Sequence, residues 1–153
     1  MKVVLSDRLF DYDLKTNELA MNVEEQKIKA DSTGYYAKKL KKKIFFKRSD
    51  QEEIANPVLK EEQKKLLKEM ASILKKRNVN FRIILSPLYE QQKLNPADLE
   101  VLNELFEKEN VFDFSGKNEF TEPVGNYYEN SHYRSFIATK LMETVYGKIQ
   151  KSE

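Results

Sequence analysis

The stretch Tyr128-Glu129-Asn130-Ser131-His132-Tyr133-Arg134 holds the chain's only histidine, with a carboxylate three positions before it. That pairing suits general acid–base chemistry. A carboxylate can take a hydrogen bond from one imidazole nitrogen and leave the other free to accept a proton from an attacking hydroxyl. Glu129 is then the orienting acid and His132 the general base, and a serine must complete the set. One candidate is Ser32, in Ala30-Asp31-Ser32-Thr33-Gly34. The preceding Glu-Glu-Gln-Lys-Ile-Lys is too charged for the buried strand that would present a nucleophile, so Ser32 reads better as an N-cap or turn residue before a helix. Gly125-Asn126 offers amides that could hold an oxyanion, yet in that context the pair reads as a turn. Tyr127, Tyr128 and Tyr133 flank the histidine and, with Arg134, either form a contact surface or pack the loop against a helix.

The elements that would position these residues are clearest after residue 55. Asn56-Pro57 reads as an N-cap with proline in the first turn, and Leu59, Leu66, Leu67, Met70, Ile73 and Leu74 recur at helical spacing as far as Arg77. Phe81 to Leu85 suits a buried strand stopped by Ser86-Pro87. Asn95-Pro96 repeats the helix-start signal, with Leu99, Leu102, Leu105 and Phe106 on one face as far as Glu109, and Val111 to Phe114 makes a second short strand. Helix, strand, helix, strand is the rhythm of a parallel sheet covered by helices. A loop over 117–129 leads to a last helix over 131–146, with Ile137, Leu141 and Val145 inward and Gly147 as its C′ residue. On that placement His132 opens the helix, where the dipole favours its neutral form, at the carboxyl end of the sheet, where open α/β folds place ligands. Residues 1–55 are less regular, with a strand expected in Lys2-Val3-Val4-Leu5 and a helix around Tyr35 to Lys43.

Composition narrows the function further. The chain of 153 residues is long enough for one domain with a core. Its 27 Lys plus Arg against 25 Asp plus Glu give a net charge of +2, so global electrostatics supply no case for nucleic acid. The basic run from Lys38 to Arg48 is followed by Asp50, Glu52 and Glu53 and reads as a solvated helix face ending in buried Ile44-Phe45-Phe46. With no cysteine and one histidine, neither a disulfide nor a zinc site is expected, and no cofactor is implied. The N-terminal apolar run is too short for a signal peptide or membrane span, which makes a cytoplasmic location the default expectation.

The order of a strand ending in proline (Arg82-Ile83-Ile84-Leu85-Ser86-Pro87), a helix, Val111-Phe112-Asp113-Phe114-Ser115-Gly116, a loop and then acid-x-x-His-Tyr-Arg resembles the C-terminal half of SGNH/GDSL-type hydrolases. It is closest to the hydrolase-like proteins of bacterial cell-envelope acylation, such as the alginate acetylation and teichoic-acid D-alanylation proteins. The likeness covers residues 56–148. It implies a three-layer α/β/α domain with a mainly parallel, flavodoxin-like sheet, and ester hydrolysis or acyl transfer on an acyl-ester or polysaccharide-type substrate. The family's last block is Asp-x-x-His, so Glu129 and His132 fall on its acid and base, with Glu in place of Asp. Its Gly-Asp-Ser block and its oxyanion Gly and Asn blocks have no counterpart. The resemblance therefore implies an incomplete fold, inactive by itself, that needs a further N-terminal segment or a second copy to cover its open edge. Resembling proteins often act outside the cytoplasm. The alternative is a non-catalytic interaction or scaffold domain using the tyrosine-rich loop and the basic run.

Overall fold

A computed structural model of the protein describes residues 11–14 and 18–147. The strand expected at residues 2–5 lies outside them. The elements run β1 (Asp11–Asp13), β2 (Glu18–Ala20), α1 (Asn22–Ala30), α2 (Ser32–Lys41), β3 (Glu53–Ile54), α3 (Glu61–Lys76), β4 (Ile83–Leu85), β5 (Gln92–Lys93), α4 (Pro96–Phe106), β6 (Val111–Asp113), β7 (Tyr127–Glu129), β8 (His132–Tyr133) and α5 (Ser135–Tyr146). Short 3-10 turns precede β6 and β7.

The repeat read from the sequence forms one compact unit. β4 and β6 pair in parallel, Ile83 with Val111, Ile84 with Phe112 and Leu85 with Asp113. Alternate strand residues share a face, and Ile83, Leu85 and Val111 pack with Leu67, Ala71 and Leu74 of α3 and Leu102 and Phe106 of α4. Phe106 is fully buried and stands edge-on to Phe81, ring centroids 6.0 Å apart. Asn95 caps α4 as the motif predicts, its side-chain oxygen accepting from the Ala97 amide at 3.0 Å.

The equivalent signal at Asn56-Pro57 does not start α3. The buried Asp98 carboxylate accepts the Val58 and Leu59 amides at 2.7 and 3.2 Å. It holds the chain extended until Lys60, the N-cap. A tertiary acceptor has overridden a local start signal. The apolar positions of α3 also divide in two: Leu67 and Leu74 face the core, whereas Leu66, Met70 and Ile73 are exposed.

The mixed α/β character is present, but the strands form four two-stranded pieces, β1 with β2, β3 with β5, β4 with β6 and β7 with β8. Among the described residues there is no continuous parallel sheet: no strand exceeds three residues, and each pairs with one other strand only. At the carboxyl end of β6, Asp113 pairs with Lys93 at 2.7 Å and accepts the Ser115 hydroxyl at 2.5 Å, while the Gly116 amide donates to Gln92 O at 3.2 Å. Burial works against the Asp113 charge, yet Lys93 and Ser115 hold its pKa below the usual value. Gly116 has φ +75, and a Cβ there would sit 2.7 Å from Lys93 Cδ, so this lock needs glycine.

Residues 18–55 are more regular than expected, because α1 and α2 dock onto the β7–β8 hairpin. The Tyr35 hydroxyl lies 2.7 Å from Tyr128 O, its single proton shared between that carbonyl and the Glu24 carboxylate, and Tyr36 donates to Tyr127 O at 3.0 Å. Ile28, Tyr35 and Tyr128 form one small core, and Phe45, Tyr89 and Tyr127 another. Phe45 is buried, but it lies in irregular chain rather than in a strand, and Phe46 is exposed.

Candidate functional site

The loop expected before the last helix ends instead in a hairpin. β7 pairs antiparallel with β8, Glu129 opposite His132, and Asn130-Ser131 makes the turn. The Ser131 amide donates to Glu129 Oε2 at 3.1 Å, which pins the carboxylate over the turn. His132 Nδ1 then meets Glu129 Oε1. A carboxylate only accepts, so Nδ1 carries the proton and Nε2 is the ring nitrogen left for other work. The extra methylene of Glu does not prevent pairing, because acid and base sit on facing strands. His132 therefore lies two residues before Arg134, the N-cap of α5, and outside the first helical turn where the dipole acts. Its side chain is 62% exposed and that of Glu129 21%.

The pair borders a cavity of about 1200 Å³. Its walls come from α1, α2, the hairpin and the start of α5, and none of its lining residues belongs to β4 or β6. The site thus does not stand at the carboxyl end of the parallel strands, where strand order alone would put it. Met21, Ile44 and Ala138 give it apolar surface; Ser131, Ser135 and Thr139 bring hydroxyls. Ser135 Oγ lies 3.4 Å from the Tyr128 hydroxyl.

Glu24 and Lys39, also in the cavity wall, went unrecognised in the sequence. Glu24 is 3% exposed. Its carboxylate accepts from Lys27 Nζ at 2.6 Å and from the Tyr35 hydroxyl at 2.6 Å, with Lys39 Nζ at 3.3 Å. Burial opposes the charge, but these three donors outweigh it and bring the Glu24 pKa down to about 2. Burial, and then the hydrogen bond to Glu24, push the Tyr35 hydroxyl well above its ordinary range. The signal was available in Glu24-x-x-Lys27-Ile28 followed by Tyr35 and Lys39, where isolated apolar and aromatic positions at helical spacing mark the inward faces of α1 and α2.

Of the other residues singled out by sequence, Tyr128 and Tyr133 also line the cavity, and the rest make structural contacts. Ser32 is the exposed first residue of α2 and is not part of the cavity wall. Asp31 caps that helix by accepting the Gly34 amide at 2.8 Å, and a Cβ on Gly34 would collide with its carboxylate, which explains Ala-Asp-Ser-Thr-Gly without a nucleophile. Asn126 directs its side-chain amide to Phe120 O at 2.9 Å and its backbone amide to Pro123 O at 3.0 Å, and Gly125 O accepts from Arg134, so the pair is built into a 3-10 turn. Tyr127 and Tyr128 are 1% and 3% exposed and belong to the core. Arg134 forks onto Glu25, Nη2 to Oε1 at 2.6 Å and Nε to Oε2 at 3.1 Å, clamping α1 to the start of α5. In the basic run, Arg48 stacks on Tyr89 and donates to Thr121 O at 2.5 Å and Glu122 O at 2.6 Å.

Among the described residues, no hydrogen bond joins His132 to a serine hydroxyl, and no group of three His, Asp or Glu side chains is placed to hold a metal ion. Among the described residues, no helix is long and apolar enough to cross a membrane. Comparison with known proteins finds no matching family model, no similar curated protein and no similar solved structure.

Proposed function

We propose that this chain carries the acid–base half of an acyl-transfer site of the SGNH-hydrolase type, within a three-layer α/β/α fold that a further polypeptide segment completes. The observation that carries the reading is the Glu129–His132 pair, set by a hairpin register at the edge of a cavity large enough for a substrate. Glu129 holds the Nδ1 proton, and Nε2 takes the proton of a serine hydroxyl as its oxygen attacks an ester carbonyl. The same nitrogen returns that proton to the leaving alkoxide as the tetrahedral intermediate collapses, leaving an acyl-serine. The apolar wall of Met21, Ile44 and Ala138 suits the acyl chain, while the exposed side of His132 admits a polar acceptor such as a polysaccharide hydroxyl.

In this reading the serine comes from that further polypeptide segment, and the chain alone does not form an acyl-enzyme. The test is to treat the full chain with a fluorophosphonate serine probe and, separately, to follow aryl acetate hydrolysis in wild type, His132→Ala and Glu129→Gln. The expected result is no labelled serine, with slow hydrolysis lost in His132→Ala and reduced in Glu129→Gln. Labelling of any serine of the chain would overturn the incomplete-site reading. Hydrolysis indifferent to both substitutions would remove the acid–base pair altogether.

A further inference from the structure

Helix α3 carries a second apolar stripe that the core does not use. Leu66, Met70 and Ile73 are 60%, 51% and 56% exposed, while Leu67, Ala71 and Leu74 pack inward. At 3.6 residues per turn the three exposed side chains form one ridge, and Glu62 and Arg77 fall on the same ridge, all five within about 40° of the Leu66 direction. Glu62 is an exposed first-turn residue and Arg77 the exposed C-cap. Neither takes part in an ion pair among the described residues. No residue of α3 lines the Glu129–His132 cavity, so this face is separate from the proposed acyl-transfer site.

The spacing along the ridge is self-complementary. Leu66 and Ile73 lie equally far from the point midway between Glu69 and Met70, and so do Glu62 and Arg77. Placing a second copy antiparallel about a two-fold axis through that point sets Leu66 against Ile73 and Met70 beside its own equivalent. Glu62 of each copy then meets Arg77 of the other. The ends of α3 agree with this, with Glu61 and Glu62 in the first turn and Lys75 and Lys76 in the last, so antiparallel helices also oppose unlike charges and dipoles. Glu69, which flanks the axis, has Lys65 one turn away on its own helix. We infer that α3 is the isologous docking face for a second copy of this chain.

A 16-residue helix spans about 24 Å and presents less surface than the roughly 800 Å² per partner of a standard interface. The dimer is therefore weak, monomeric near 1 µM and dimeric in the range of hundreds of µM. Sedimentation of the full chain across that range measures it, with circular dichroism confirming that each variant folds. Met70→Glu places two carboxylates at the axis and is expected to leave monomer at every concentration. Glu62→Arg and Arg77→Glu are each expected to weaken the dimer about tenfold or more, and the double reversal to restore it. Monomer throughout in wild type would overturn the inference. So would a dimer insensitive to Met70→Glu, or single reversals whose combination fails to recover. Wild-type binding to phosphatidylcholine vesicles, lost in Met70→Glu and without self-association, would assign the ridge to a lipid surface instead.

Discussion

Replacing Glu24 by Gln removes a buried negative charge from the cavity wall and changes the side chain's shape little. The carboxylate is matched by Lys27, Tyr35 and Lys39, and its pKa is about 2 in the fold against an ordinary 4.5. That difference corresponds to about 3 kcal/mol of stability at neutral pH. Gln cannot replace it, since its amide nitrogen turns a donor toward donors. For a chain of this length the melting temperature at pH 7 is expected to fall by roughly 6–12 °C. Because folding depresses this pKa, the contribution is complete above pH 4.5 and lost as pH falls through 4.5 toward 2. Glu25, also lowered, chiefly by Arg134, adds acid sensitivity of the same sign in the wild type. Urea unfolding of both proteins at pH 7, 5 and 3 measures the gap, which is expected to shrink by more than half at pH 3. A Glu24→Gln protein within about 0.5 kcal/mol of wild type at pH 7 would refute the reasoning. A gap as large at pH 3 as at pH 7 would also refute it.

Two further substitutions probe how the site is held. Arg134→Lys keeps the charge but cannot span both Glu25 oxygens and Gly125 O, and a loss of about 1–2 kcal/mol is expected in urea unfolding. Combining it with Glu25→Gln should cost less than the two singles together, because they share one interaction. Asp98→Ala frees the Val58 and Leu59 amides at a cost of about 1–3 kcal/mol. With that acceptor gone, backbone chemical shifts at residues 58–60 are expected to move toward helical values as α3 extends back toward Pro57.

The readable parts of the sequence were those whose signals are local. Asn95-Pro96 caps α4 with its own side chain, Ile137, Leu141 and Val145 are all buried, and Gly147 ends α5 at φ +80. Strands β4 and β6 were legible as short apolar runs, and their parallel pairing followed from the helix between them. Long-range partners decided what was not legible. Asp98, forty residues away, cancels the start at Asn56-Pro57. Of the six apolar residues read as one face of the first long helix, Leu59 lies before it and the other five belong to two faces, since periodicity records that a position is apolar but not which neighbour covers it. Within the site, Glu129 and His132 were legible as a pair, but the hairpin that joins them was not. Tyr127 and Tyr128 lie in a strand paired with β8, and Tyr35 and Tyr36 reach their carbonyls from a distant helix. The cavity wall from α1 and α2 was hidden for the same reason.

The central claim is that Glu129 fixes the tautomer of His132 and leaves Nε2 as the base. One histidine in the chain makes this directly observable, since nitrogen NMR of a histidine-labelled sample contains a single imidazole. At a pH where the ring is neutral, the account predicts a proton on Nδ1 and an unprotonated Nε2, with the tautomer preference weakening in Glu129→Gln. A ring protonated mainly on Nε2, or a spectrum unchanged by Glu129→Gln, would contradict it.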